Sequence, residues 1–282
     1  MSRKKKQLPL LENITIIDVA AEGKALARVD DMVIFIPFVI PGDVVDVQIT
    51  KKRKSYCEGR VVRFIQYSDN RKEPFCTHFG ICGGCKWQIL PYEDQLKAKH
   101  QQVYDQLSRI GKIELPEFNY ILGSVQTMQY RNKLEFGCSN KRWLTQEDID
   151  SKKTFDNMNA IGFHITGAFD KIYPITQCQL MDDLQNQIRN HIYEYAIKQN
   201  ISFYDLRNQH GLLRSIMVRN SNNNEWMVLV QFRFDESNDK EKALALLEDL
   251  ANHFPQITSL LYVDNQKCND TFNDLTVEVY KG

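Results

Sequence analysis

Seven cysteines are the residues best placed to do chemistry, and three of them stand in ten residues as Cys76-x5-Cys82-x2-Cys85 within FCTHFGICGGCKWQ. Gly80, Gly83 and Gly84 lie among them. Glycine relieves side-chain crowding and lets backbone N–H groups point at sulfur, which favours thiolates able to wrap a metal. A four-coordinate site needs one more ligand, and Cys178, in the turn-like segment IYPITQCQL after Pro174, is the best distant candidate. Zinc and iron–sulfur clusters both accept four cysteines. Structural zinc usually arrives as two close pairs, so three clustered ligands and one remote ligand favour iron–sulfur. His78 lies inside the loop and reads as a neighbour of the ligands rather than one of them. Cys57, Cys138 and Cys268 read as small buried apolar groups in strands.

The second chemical signal is charge. The chain has 282 residues, 36 Lys and Arg, and 36 Asp and Glu, so its formal net charge is zero. Residues 1–72 nevertheless hold 14 basic and 9 acidic side chains, leaving the remainder with 22 against 27. The excess gathers at Arg3, Lys4, Lys5 and Lys6, and at Lys51, Lys52, Arg53 and Lys54, followed by Arg60 and Arg63. A ligand meets the local field, so the balance of the whole chain does not exclude nucleic acid. The first cluster reads as a solvated tail over residues 1–7. The second falls between strand-like runs, on a fixed surface.

The elements that must position these groups follow from periodicity. ITIIDVA, ALARVD, MVIFIPF, VVDVQIT and GRVVRFI are β-branched runs broken by turn residues, which predicts a five-stranded barrel of the OB type over residues 8–67. Residues 68–91 form the cysteine loop. Pro91 opens a thinly amphipathic helix over 92–111, closed by Gly111. Residues 112–282 read as an α+β domain with a largely antiparallel sheet. Its strands are KLEFGCS, NAIGFHI, the hairpin LLRSIMVRN with EWMVLVQFRF, SLLYVDN and LTVEVY. Its helices are MDDLQNQIRNHIYEYAIKQ and KEKALALLEDLANHF. The fold class is thus a small β-barrel followed by a mixed α/β unit.

Several function classes find no support. There is no G-x-G-x-x-G, Walker loop, H-E-x-x-H or G-x-S-x-G, and no apolar run long enough for a membrane span. No secretory signal pattern opens the chain, which predicts a cytoplasmic protein with reduced cysteines.

EGKALARVDDMVIFIPFVIPGDVV, the basic KKRKSY turn, PFCTHFGICGGCKWQ, YRNKLEF and the later lone Cys178 together resemble one family. It is the RNA uridine-C5 methyltransferases with an N-terminal TRAM domain and a [4Fe–4S] cluster, bacterial enzymes that make 5-methyluridine in 23S ribosomal RNA. The resemblance implies that Cys76, Cys82, Cys85 and Cys178 ligate the cluster. It also implies that Tyr130-Arg131-Asn132-Lys133 lies near the RNA-binding cleft, adding Arg131 and Lys133 to an RNA surface of Lys51, Lys52, Arg53, Lys54 and Arg60. The family's chemistry, a thiolate adding to uracil C6 before methyl transfer from S-adenosylmethionine to C5, needs a nucleophilic cysteine in a context that none of the cysteines here matches.

The family's Rossmann-like methyltransferase domain begins where LTVEVYKG stands. The expectation is therefore that this domain is absent, that the chain carries no catalytic residue and is inactive alone, and that helix 92–110 packs on the protein's own C-terminal catalytic domain. Two other readings stand beside it. One is a non-catalytic RNA-binding iron–sulfur or zinc module. The other, a radical methylthiotransferase, is disfavoured because C-x3-C-x2-C is missing.

Overall fold

The structure, a computed structural model, describes residues 8–165 and 167–282. The basic segment Arg3–Lys6 lies outside the described residues. Two compact units divide the chain: residues 8–80 with 85–127, and residues 81–84 with 128–282.

The first unit begins with β1 (Leu10–Thr15), β2 (Asp18–Val19), β3 (Lys24–Val29), β4 (Met32–Pro37), β5 (Val44–Lys52) and β6 (Tyr56–Gln66). The expected five-stranded barrel is corrected to six strands in the order β1-β5-β6-β4-β3-β2. The first apolar run divides in two because its pairing changes sides. β1 pairs with β5, whereas β2 pairs with β3. The switch is made at Ile16, whose N–H donates to the Asp43 carbonyl, and at Ile17, whose N–H donates to the Leu26 carbonyl. Consecutive residues thus occupy both ends of the strand order, which curls the sheet round on itself as a barrel. Ile16, Ala27, Ile34, Ile36, Val45, Val47 and Ile49 fill the interior. Gly59 lets β6 cross this core closely, since a Cβ there would stand 2.3 Å from Val47 Cγ1.

Beyond β6, Ile40, Ile89 and Leu90 form a second small core with Phe79 and Trp87. Helix α1 (Tyr92–Asp105) follows and passes into a π-helical turn over Gln106–Ile110, so the expected helix changes winding before Gly111. None of its residues is buried, and Val103 and Ile110 are 44% and 79% exposed. Residues 112–127 return along this helix and group with the barrel rather than with the following domain. The Phe118 and Tyr120 rings lie 4.8 and 5.1 Å from the His100 ring, and the Ser124 N–H donates to the Tyr92 hydroxyl.

The second unit contains β7 (Lys133–Ser139), α2 (Gln146–Asp150), β8 (Ala160–Ile165), β9 (Ala168–Pro174), α3 (Leu184–Lys198), β10 (Leu213–Asn220), β11 (Trp226–Phe232), α4 (Asp239–His253), β12 (Ile257–Asp264) and β13 (Glu278–Lys281). They form a seven-stranded sheet ordered β13-β12-β11-β10-β7-β8-β9. All neighbours are antiparallel except β11 and β12, which α4 joins as a crossover. Ile188, Ile192 and Ala196 bury one stripe of α3, and Ala243, Leu246, Leu247 and Leu250 one stripe of α4, at helical spacing.

Two buried polar centres hold the loops of this unit. Arg214 is fully buried and donates to the carbonyls of Lys267 and Asn269 and to Asp270, pinning the chain between β12 and β13. Asp205 accepts from Lys141 Nζ at 2.8 Å, from Asn140 Nδ2, and from the N–H groups of Arg207 and Asn208. Burial pushes the Asp205 carboxyl up, but these donors outweigh it and hold the group well below the usual carboxylate range.

A carboxyl depressed on folding stabilises the native state above its unfolded value of about 4, and that contribution fades as pH falls through the folded value. Asp205→Asn is expected to destabilise the second unit by about 1–3 kcal/mol at pH 7. The gap between variant and parent in urea unfolding should shrink below about pH 4. A gap that stays constant from pH 7 to pH 2 contradicts the assignment.

Candidate functional site

The basic turn projects from the barrel because β5 and β6 form a long antiparallel arm. Register pairs Gln48 with Arg60, Lys51 with Glu58 and Lys52 with Cys57. Residues 53–55 connect the strands, closed by a hydrogen bond from the Arg53 N–H to the Tyr56 carbonyl. Not all of the sequence-predicted cations are equally available. Lys51 Nζ lies 3.1 Å from Glu58 Oε1 and holds that carboxyl below its ordinary value. Arg63 pairs with Asp46 at 2.7 Å. The Asn13 N–H and Arg63 together hold the Asp46 carboxyl below the usual range against the cost of burial. Lys52, Arg53, Lys54 and Arg60 are exposed and make no ion pair among the described residues. These four are the cations offered to a ligand.

In the second unit Arg131 and Lys133 are exposed at the start of β7. The N–H groups of Gln129 and Arg131 donate to the carbonyls of Gln179 and Leu180, so the Tyr130–Lys133 stretch runs beside the segment that carries Cys178. Lys133 Nζ lies 2.5 Å from Glu135 Oε1, which draws part of its charge inward.

None of the four expected ligand cysteines is in a disulfide. In the first unit the Cys76 N–H donates to Gln88 Oε1 at 3.1 Å, and Cys76 Sγ lies 4.0 Å from His78 Nδ1. Gln88 Nε2 is buried and has no hydrogen-bond partner among the described residues. An orphaned donor beside a cysteine is the feature that sulfur bearing negative charge would satisfy. In the second unit Gly83 adopts the left-handed conformation (φ 72°), and a Cβ at Gly84 would stand 3.7 Å from Cys82 Sγ.

Cys178 is held from both sides by the first turn of α3. Its N–H donates to Asn186 Oδ1 at 2.7 Å, and its carbonyl accepts from Gln185 Nε2 at 3.0 Å and from Asn186 Nδ2. Arg189 is buried one turn further along, with its guanidinium on Gln185 and Asn186. Burial lowers the Arg189 pKa to about 10, opposed by Cys178 and Asp183. Four cysteines are the donor set that a thiolate-held metal group takes. Among the described residues, no three Cys, His, Asp or Glu side chains converge as a site for a metal ion.

Sequence reasoning placed Gln88 in the cysteine signature without giving it a role, and it missed Arg189. Arg189 had a legible signal, because a cation next to Ile188 on the apolar stripe of an amphipathic helix must find buried partners. Cys268 departs from its expected role: it is exposed between β12 and β13, with Sγ donating to Gln209 Oε1. Cys57 and Cys138 are buried in β6 and β7, and burial pushes the Cys138 thiol up.

Residues 12–62 match the TRAM domain. Over 94% of its length the chain is 54% identical to an uncharacterised RNA methyltransferase of Bacteroides thetaiotaomicron, of which it spans 58%. It is 51% identical over 95% of its length to another from Porphyromonas gingivalis, again spanning 58% of that protein. Among solved structures, a tRNA (uracil-54, C5)-methyltransferase from Pyrococcus abyssi, in complex with S-adenosyl-L-homocysteine, superposes with a TM-score of 0.63 at 20% identity. That match covers 95% of this chain and 55% of the archaeal one.

These matches correct the expected fold class. The reading that a Rossmann-like methyltransferase domain is absent is not supported: the likeness to the fold of a solved methyltransferase covers 95% of this chain, and the similarity to the Bacteroides protein 94%. The expectation that helix 92–110 awaits such a missing domain falls with it. Both rested on the lack of a glycine-rich turn and on where the sequence ends. A glycine-rich turn is one way of cradling a nucleotide, so its absence carries no information about the fold.

Proposed function

We propose that this protein is a TRAM-containing RNA uracil-C5 methyltransferase, and that its barrel and the start of β7 bind and orient the RNA. The observation that carries this reading is a coincidence of position: the TRAM match and the unpaired cations of the β5–β6 turn fall on the same residues. Similarity to RNA methyltransferases over more than nine-tenths of the chain supports it.

Lys52, Arg53, Lys54 and Arg60 bind phosphates and set the register of the strand, with Lys51 shared between RNA and Glu58. Arg131 and Lys133 add a second contact to the backbone. Phosphate contacts of this kind position the nucleic acid without reading its sequence. The methyl donor is S-adenosylmethionine, supported by the S-adenosyl-L-homocysteine in the solved archaeal relative, since that compound remains once the methyl group has left. No residue among the 282 is assigned to bond making. The target uridine must leave its stack to be reached, so the surrounding strand has to be held while it does so. The family resemblance points to 23S ribosomal RNA in the cytoplasm, although the solved relative acts on tRNA. No helix among the described residues is long and apolar enough to cross a membrane.

Cys76, Cys82, Cys85 and Cys178 are proposed to hold a [4Fe–4S] cluster, supported by the spacing of three clustered cysteines and one remote one, by the unpartnered Gln88 Nε2 and by the buried Arg189 near Cys178. Such a cluster would link distant positions of the chain through these four cysteines.

Three outcomes test the reading. Disrupting the gene in its host should remove one 5-methyluridine from 23S ribosomal RNA, read by mass spectrometry of nuclease fragments. An unchanged ribosomal fragment with a loss in tRNA would move the substrate to tRNA, and no loss in either overturns the activity. Reversing Lys52, Arg53 and Lys54 to Glu should weaken single-stranded RNA binding and reduce the slope of log K against log salt by about 0.7 for each phosphate no longer neutralised. An unchanged slope places the RNA elsewhere. Protein purified without oxygen should carry about four irons per chain and lose them in Cys178→Ser, whereas colourless protein with one zinc excludes the cluster.

A further inference from the structure

At the end of the barrel the β3–β4 turn and the β5–β6 turn face one groove of about 520 Å³. That volume lies within the range of about 300–1,000 Å³ typical of small-ligand sites. The floor is apolar: Leu11 and Met32 are half-buried, and Ile34 and Ile49 below them belong to the barrel core. Its rim carries charge of both signs. Lys52 and Lys54 line it from the basic arm, and Asp30 and Asp31 line it from the other turn.

All four charged residues are exposed, and none makes an ion pair or side-chain hydrogen bond among the described residues. The acids are nevertheless fixed in place. Val29 and Met32 pair across the two-residue turn, and Asp30 holds the left-handed conformation at φ 51°. Two cations and two carboxylates left unpaired on one groove call for a ligand that is itself anionic at one end and rich in donors at the other.

A nucleotide of single-stranded RNA has that form, and the base can be specified. A carboxylate only accepts hydrogen bonds. Guanine offers two adjacent N–H donors on its Watson–Crick edge, which one carboxylate can accept together, as it accepts the fork of an arginine. Adenine and cytosine each offer one amino group beside a ring nitrogen that is itself an acceptor. Uracil offers one N–H between two carbonyl oxygens, and those oxygens repel a carboxylate.

We propose that this groove is a guanine-selective subsite for one unstacked nucleotide of the bound RNA. The phosphate lies on Lys52 and Lys54, the ring lies against Met32 and Leu11, and the guanine edge donates to Asp30 or Asp31. The subsite rests on the RNA-binding reading and adds a base preference that phosphate contacts cannot supply.

The test compares a uridine heptamer with the same heptamer carrying one central guanosine, measured by fluorescence anisotropy on the chain and on two variants. The guanosine heptamer is expected to bind about tenfold more tightly. Asp30→Asn with Asp31→Asn should erase that difference while leaving uridine binding unchanged or tighter, and asparagine tolerates the left-handed turn, so the barrel is retained. Lys52→Ala with Lys54→Ala should weaken both RNAs together. A chemical-shift change at the Met32 ε-methyl should saturate with the guanosine heptamer only. Equal binding of the two heptamers overturns the subsite and leaves RNA binding intact, as does saturation by free guanosine monophosphate with no preference between the heptamers. Binding of neither heptamer overturns the RNA reading together with the subsite.

Discussion

Asp43 carries the constraint on which the first unit depends. Its side chain has no exposed surface, and a buried carboxylate is tolerable only when every lone pair finds a donor. Arg71 Nη1 lies 2.6 Å away, and the N–H groups of Ile40 and Ser68 donate to the same carboxylate at 2.8 and 2.9 Å. The Asp43 carbonyl in turn accepts the Ile16 N–H at the point where the first strand changes partner. One residue thus fixes the closure of the barrel, the turn before β5 and the exit from β6. The arm bearing the basic turn and the segment entering the cysteine loop both start from that fixed point.

Structural pairing also decides how much of the basic excess reaches solvent. Four cations in the barrel region are taken up by acids of the fold: Lys24 by Glu22, Arg71 by Asp43, Arg63 by Asp46 and Lys51 by Glu58. Two of these acids are buried, and a buried carboxylate holds its partner more firmly than a surface pair would. The excess counted along the sequence therefore overstates the usable field in amount but not in location. The charge left over is concentrated on Lys52, Arg53 and Lys54 at the tip of the arm, with Arg60 further along β6.

Much of the architecture was legible because each strand or helix carries its own period. KLEFGCS coincides with β7, and the stripes of α3 and α4 follow from apolar spacing alone. The misses share a physical cause, which is that their determinants are not local. Nothing between Leu10 and Ala20 signals that the strand must leave β5 for β3, because the reason is the distant carbonyls of Asp43 and Leu26. β9 (AFDKIYP) is an edge strand with charge inside its alternation, so it reads weakly. The basic arm of the candidate site could be read as a charge run. Its groove could not, because Asp30 and Lys52 come to line one groove only through the long-range parallel pairing of β4 with β6.

That separation explains why a cationic arm would be joined to an acidic turn. Cations alone bind any strand, and on the proposed reading an enzyme that modifies one uridine has to keep other uridines from occupying its recognition surfaces. Carboxylates at the mouth of an apolar groove do this by repulsion as well as attraction. They reward a base with two adjacent donors and penalise one whose edge is framed by carbonyl oxygens. On the proposed reading uracil is the base that the groove rejects, so a uridine-rich strand stays free there while its neighbours are held by their phosphates. Specificity then comes from the two acids that the net charge cancels against the lysines, not from the lysines themselves.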